Sequence, residues 1–84
     1  MMRFTSHSWK LLLGKLRRFS GKEICRILRK HGFDNVRQKG SHVIMQKAVP
    51  GSTITVPVPE HKEIKTGTLQ SIIRQSGLLR TEFE

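Results

Sequence analysis

Four histidines and one cysteine are the groups most able to exchange protons, in a chain of 84 residues whose sixteen Lys and Arg outweigh six Asp and Glu to give a formal charge of +10. The histidine in the most suggestive company is His42, which closes the tetrapeptide Lys39-Gly40-Ser41-His42 and follows Arg37. An imidazole gains and loses a proton near neutral pH, and cations beside it can bind phosphate oxygens, so the grouping points to chemistry on phosphates. Gly40 suits a backbone that passes close to a ligand. Spacing alone leaves a plainer reading open, in which His42 is a polar residue that begins a strand.

The other candidates are weaker. His7 lies near the chain start, His31 closes an apolar helical stripe and fits a core or helix-end role, and His61 falls in a polar stretch where imidazoles are usually just solvated. Cys25 has no second cysteine to pair with and no Cys or His at zinc-site spacing, which points to a reducing setting. His42 follows His31 by 11 residues and His61 follows by 19 more, with no HxxxH or CxxC. Asp34, Glu60 and Glu63 do not resemble the carboxylate set that holds a catalytic Mg²⁺. Neither metal nor cofactor is expected, and a metal-dependent nuclease is disfavoured. The inventory does permit RNA cleavage by the substrate's own 2′-hydroxyl, which needs only a base, a proton donor and cations for the charge on phosphorus. A polyanionic partner fits the charge. No run of ~18 apolar residues spans a membrane, and no membrane partner is expected.

The elements that would position these groups are legible in outline. Ser20-Gly21-Lys22-Glu23 has the form of a capping box, opening a helix with Ile24, Ile27, Leu28 and His31 on one stripe and Lys22, Arg26 and Arg29 mostly off it. Those cations could track an RNA backbone, although a charge run is usually a solvated face. Gly32-Phe33 supplies the glycine and the apolar residue of a helix stop. Strands are predicted over 35–39, 42–48 and 53–58, the last two joined by Pro50-Gly51, as an antiparallel meander. The third alternates cleanly, Ile54, Val56 and Val58 inward, with Pro57 and Pro59 at a ragged end. The second reads Val43-Ile44-Met45, apolar throughout, so its inward face is ambiguous; if Ile44 points inward, His42 shares its face at the rim. A second helix is predicted over 66–75, capped by Thr66 and stopped by Gly77-Leu78. The order α-β-β-β-α makes an α+β sandwich, a three-stranded antiparallel sheet with two helices on one face.

Residues 1–14 form an N-terminal extension, flexible or a short amphipathic helix. Trp9, Leu12, Leu13 and Leu16 recur at helical spacing among Lys10, Lys15, Arg17 and Arg18, a pattern shared with membrane-surface and transit segments. The remaining chain, 15–81, is read as one domain.

Taken together, Ser20-Gly21-Lys22-Glu23, His31-Gly32-Phe33, Arg37-Gln38-Lys39-Gly40-Ser41-His42, Thr55-Val56-Pro57 and Lys62-Glu63-Ile64-Lys65-Thr66-Gly67-Thr68-Leu69 resemble the HicA (YcfA-like) toxin family over residues 15–81. The resemblance implies a fold like the double-stranded-RNA-binding domain and a cytoplasmic bacterial or archaeal type II toxin. It further implies an endoribonuclease that cleaves mRNA as an mRNA interferase, with His42 as the catalytic histidine and a HicB-type antitoxin as its neutralising partner. Around that histidine, Lys39 and Arg37 are expected at the phosphate, Gly40 and Ser41 at the site through backbone N–H groups, Lys22, Arg26 and Arg29 on the RNA backbone, and His61 or Lys62 as a secondary acid or base. The alternative is a non-catalytic RNA-binding module of the same fold, reading RNA by shape and backbone.

Overall fold

A computed structural model of the chain describes residues 18–83; the amphipathic pattern over 9–16 and the expectation for 1–14 lie outside them. Ser20 does cap the first helix, α1 (Gly21–Lys30). Its Oγ accepts the Glu23 N–H at 3.1 Å while the Glu23 carboxylate accepts the Ser20 N–H at 2.8 Å, satisfying reciprocally donors that a bare helix start leaves orphaned. The helix stops as a Schellman motif: Gly32, at φ 95°, donates to the Arg29 carbonyl and Phe33 donates to that of Leu28, both at 3.1 Å.

Three strands follow, β1 (Asp34–Lys39), β2 (His42–Val49) and β3 (Ser52–Pro59), antiparallel in the order β1-β2-β3. The first hairpin turns on Gly40-Ser41, with positive φ at Gly40 only, the form of a type II′ turn that demands glycine at its first central position. The second turns on Pro50-Gly51 and pairs Val49 with Ser52. Pairing runs further at both ends of β3 than the sequence pattern indicates. It reaches Pro59 opposite His42. The Glu60 N–H still donates to the Ser41 carbonyl at 2.7 Å, so by the two-residue period Pro57 and Pro59 turn their missing N–H positions toward the free edge. The second helix, α2 (Thr66–Ser76), starts one residue earlier in phase than expected. Lys65 occupies the N-cap position with no side-chain cap and Thr66 is already helical, so Thr66 is not the cap. Gly77 does stop it, at φ 74°. A 3-10 turn (Arg80–Phe83) closes the described chain.

The ambiguity in β2 is resolved by register. Val43 pairs with Val58 and Met45 with Val56, and these four join Ile24 and Leu28 of α1 and Leu69 and Ile72 of α2 in one core. Ile44 therefore points to the other face, away from the helices, flanked in register by Arg37 and Pro57. It is nevertheless only 7% exposed. The core is completed by Phe19 and Phe83, whose rings meet edge to face at 6.5 Å.

Candidate active site

The site is built where the starts of α1 and α2 meet the end of the sheet. Gly21, the first residue of α1, donates to the His61 carbonyl at 2.9 Å, and Ile64 donates to the Phe19 carbonyl at 2.7 Å. These two bonds tie the segment after β3 to the segment before α1. Gly21 is needed for the approach: a Cβ there would collide with the Pro59 carbonyl oxygen and come within 3.1 Å of the Glu60 Cα. His61 is thereby brought beside the start of β2.

A cleft of about 360 Å³ opens there, with His42, His61, Lys65 and Thr68 among its lining and Pro59, Glu63 and Ile64 completing it. Two histidines and a lysine line one space, next to the uncapped start of α2, whose N–H groups add partial positive charge. Glu63 is the one acid of that lining, and it pairs with Arg18 at 3.4 Å on the surface. Such exposed pairs contribute at most about 1 kcal/mol. Thr68 offers a hydroxyl.

The other predicted residues divide. Lys39 pairs directly with His42 across the hairpin and Arg37 with Ile44, so all three of Arg37, Lys39 and His42 lie on the sheet face away from the helices. Neither cation lines the cleft itself. Ser41 is exposed in the turn, its carbonyl taken by Glu60. Lys22 and Arg26 sit instead in a second cleft of about 290 Å³ under α1, together with Arg29. The two clefts share Pro59 and are divided by the Pro59–His61 ridge. His31 takes the helix-end role: its Nε2 lies 3.1 Å from the Glu82 carboxylate in the closing turn. Among the described residues no group of three or more His, Cys, Asp or Glu is placed to hold a metal ion. Cys25 is buried, and that burial pushes its thiol above the ordinary range, with Arg29 lowering it and Glu60 raising it by smaller amounts.

A family model described as the HicA toxin of bacterial toxin-antitoxin systems matches residues 21–78. This chain belongs to the HicA toxin family. No curated protein is significantly similar to it in sequence. The matched span runs from the Gly21 contact to just past the end of α2, and so contains every residue of both clefts in this HicA chain. It leaves out Phe19 and Phe83, which brace the core from outside the span. Membership implies a cognate antitoxin partner. No helix among the described residues is long and apolar enough to cross a membrane.

Sequence reasoning missed Lys65 and Thr68 as lining residues, although both stand in the stretch after His61 that carries the family pattern. It also missed Asn35 and Glu60. The available signal was Gly21, a residue without Cβ at the start of a helix, which suits a close backbone approach.

Proposed function

We propose that this HicA toxin is a metal-independent endoribonuclease acting on cytoplasmic mRNA, with His42 as general base, and that a HicB-type antitoxin silences it by covering the His42 cleft. The observation that carries the reading is a single cleft holding His42 and His61 together with Lys65. His42 takes the proton of a ribose 2′-hydroxyl; the resulting oxygen attacks the adjacent phosphorus; the bond to the 5′-oxygen breaks. His61 gives a proton to that leaving oxygen. The products are a 2′,3′-cyclic phosphate and a 5′-hydroxyl, and Lys65 offsets charge gathered on the phosphorane. Lys39, across the hairpin from His42, and Arg37 beside it hold the phosphate of the incoming strand, and the Ser41 turn presents them.

The test is cleavage of a long unstructured RNA in EDTA. His42→Ala should reduce the rate by about 10²- to 10⁴-fold, the usual contribution of a general base, while RNA binding persists. His61→Ala should also slow cleavage, and the loss should shrink on a substrate whose leaving group needs no protonation. Cleavage that survives His42→Ala overturns the assignment. Binding without any cleavage by the native chain leaves the RNA-binding module as the reading.

A further inference from the structure

The second cleft has a composition that phosphate binding alone does not need. Its floor is apolar, formed by Cys25, Val43, Val58 and Pro59. Lys22, Arg26 and Arg29 stand at helical spacing along one wall. At the rim are Asn35 and Glu60, groups that read hydrogen-bonding edges. Glu60 is not a loose surface carboxylate. Its backbone N–H is held by the Ser41 carbonyl at 2.7 Å, and its Oε1 accepts from Gln38 Nε2 at 2.9 Å. Gln38 in turn holds the Gly40 carbonyl at 3.2 Å, so Glu60 is fixed to the hairpin that carries His42. Among the described residues nothing bonds its second carboxylate oxygen.

We propose that this cleft seats one unpaired nucleobase of the RNA flanking the cleaved phosphate, with Glu60 and Asn35 reading its edge, Lys22 holding its phosphate and Arg26 and Arg29 covering its face. A volume of about 290 Å³ is at the small end of ligand sites and suits a single base, not a base pair. The protonated, buried thiol of Cys25 keeps the floor neutral. Guanidinium planes of Arg26 and Arg29 cover a base face in the way arginines stack on single-stranded RNA. Continuity is supplied by Pro59, which lines both clefts, so a strand crossing the ridge passes from one to the other. A carboxylate accepts and cannot donate, which selects bases that present amine or imino hydrogens. Guanine offers two adjacent donors on its Watson–Crick edge and binds best; uracil flanks its single donor with two carbonyls and binds worst.

The inference rests on the endoribonuclease reading only for where the base lies relative to scission. It is tested without cleavage, by fluorescence anisotropy with an all-uridine 2′-O-methyl oligonucleotide and versions carrying one guanosine at successive positions. One position should tighten binding about tenfold, the discrimination typical of a good edge contact. Glu60→Gln should abolish that gain while the all-uridine affinity holds or rises. Asn35→Ala should reduce it, and Arg26→Ala should weaken every oligonucleotide alike. Absence of a positional preference, or a preference that survives Glu60→Gln, overturns the base site. Insensitivity of all binding to Arg26→Ala and Arg29→Ala places the cleft off the RNA path and also overturns it. An inactive native chain that still shows the Glu60-dependent preference defeats the catalytic reading alone.

Discussion

Replacing Gly21 by alanine should damage the protein far more than so small a change in a first helical turn normally would. Three effects compete. Alanine is the better helix former, worth up to ~1 kcal/mol in a helix interior and less at its first residue. Against this, the new Cβ meets the Pro59 carbonyl oxygen well inside contact distance and the Glu60 Cα at 3.1 Å, both of them backbone. Neither can rotate aside, so the helix must withdraw from the ridge, an overpacking cost of typically 1–3 kcal/mol. Withdrawal also stretches the 2.9 Å bond from Gly21 to the His61 carbonyl, worth about 1 kcal/mol when kept. The sum is a loss of about 1–3 kcal/mol. For a domain of this size that lowers Tm by about 5–20 °C and moves the urea midpoint in proportion, at unchanged m-value. RNA cleavage, assayed well below the lowered Tm, should fall further than the folded fraction does, because the ridge that moves carries His61. A Gly21→Ala chain as stable as the native one would refute the close packing of α1 on the ridge, and with it the account of how His61 is positioned.

Three further outcomes are expected. Phe83→Ala should cost about 3–5 kcal/mol in urea unfolding, since it empties a fully buried ring site against Phe19 and Leu28's cluster. Lys22→Ala should weaken RNA binding without altering sequence preference and make the slope of log K against log salt shallower by about one, as measured by titrations at several ionic strengths. Cys25 should resist alkylation in the native chain and react on unfolding. Because its folded thiol is raised, its protonated form is favoured by folding, so this contribution is complete below the ordinary thiol pKa and lost as pH rises through the folded value; stability of Cys25→Ala against pH should lack that alkaline decline.

Legibility in the sequence followed the range of the forces involved. Ser20 and Glu23, Gly32 and Phe33, and Pro50-Gly51 act on backbone groups a few residues away, and each stands in the element its chemistry specifies, whereas Gly40, read as suiting a close approach to a ligand, forms the first hairpin turn. Thr66 misled because Lys65 fills the N-cap position without a side-chain bond, so the helix phase is set by Ile64 and Leu69 entering the core. The inward face of β2 could not be read from Val43-Ile44-Met45, where an apolar run carries no period of two. Register against Val56 and Val58 decided it, and that is information held by another strand. The slip at Val36, where Asn35 pairs with Met45 and Arg37 with Ile44, has no local sequence signal either. The candidacy of His42 rests on its neighbours in sequence, whereas its company in the cleft depends on α1 packing against the end of β3, a contact between segments far apart in the chain. The same distance explains why Lys22 and Arg26 separate from Lys39 and Arg37 although all four are cations.

The two backbone bonds that join Phe19 and Gly21 to Ile64 and His61 also fix when the cleft comes into being. Residues near the start of the described chain must wait for partners made late, and Phe83, the last described residue, still has a core position to fill. Hairpins and α1 can form locally while the chain is emerging, but closing the cleft is a long-range step whose loop-closure cost is met only once the segment after β3 docks on the start of α1. The arrangement therefore gives a nascent chain no completed site until the residues from Pro59 through Thr68 have been made and can close back on Phe19 and Gly21.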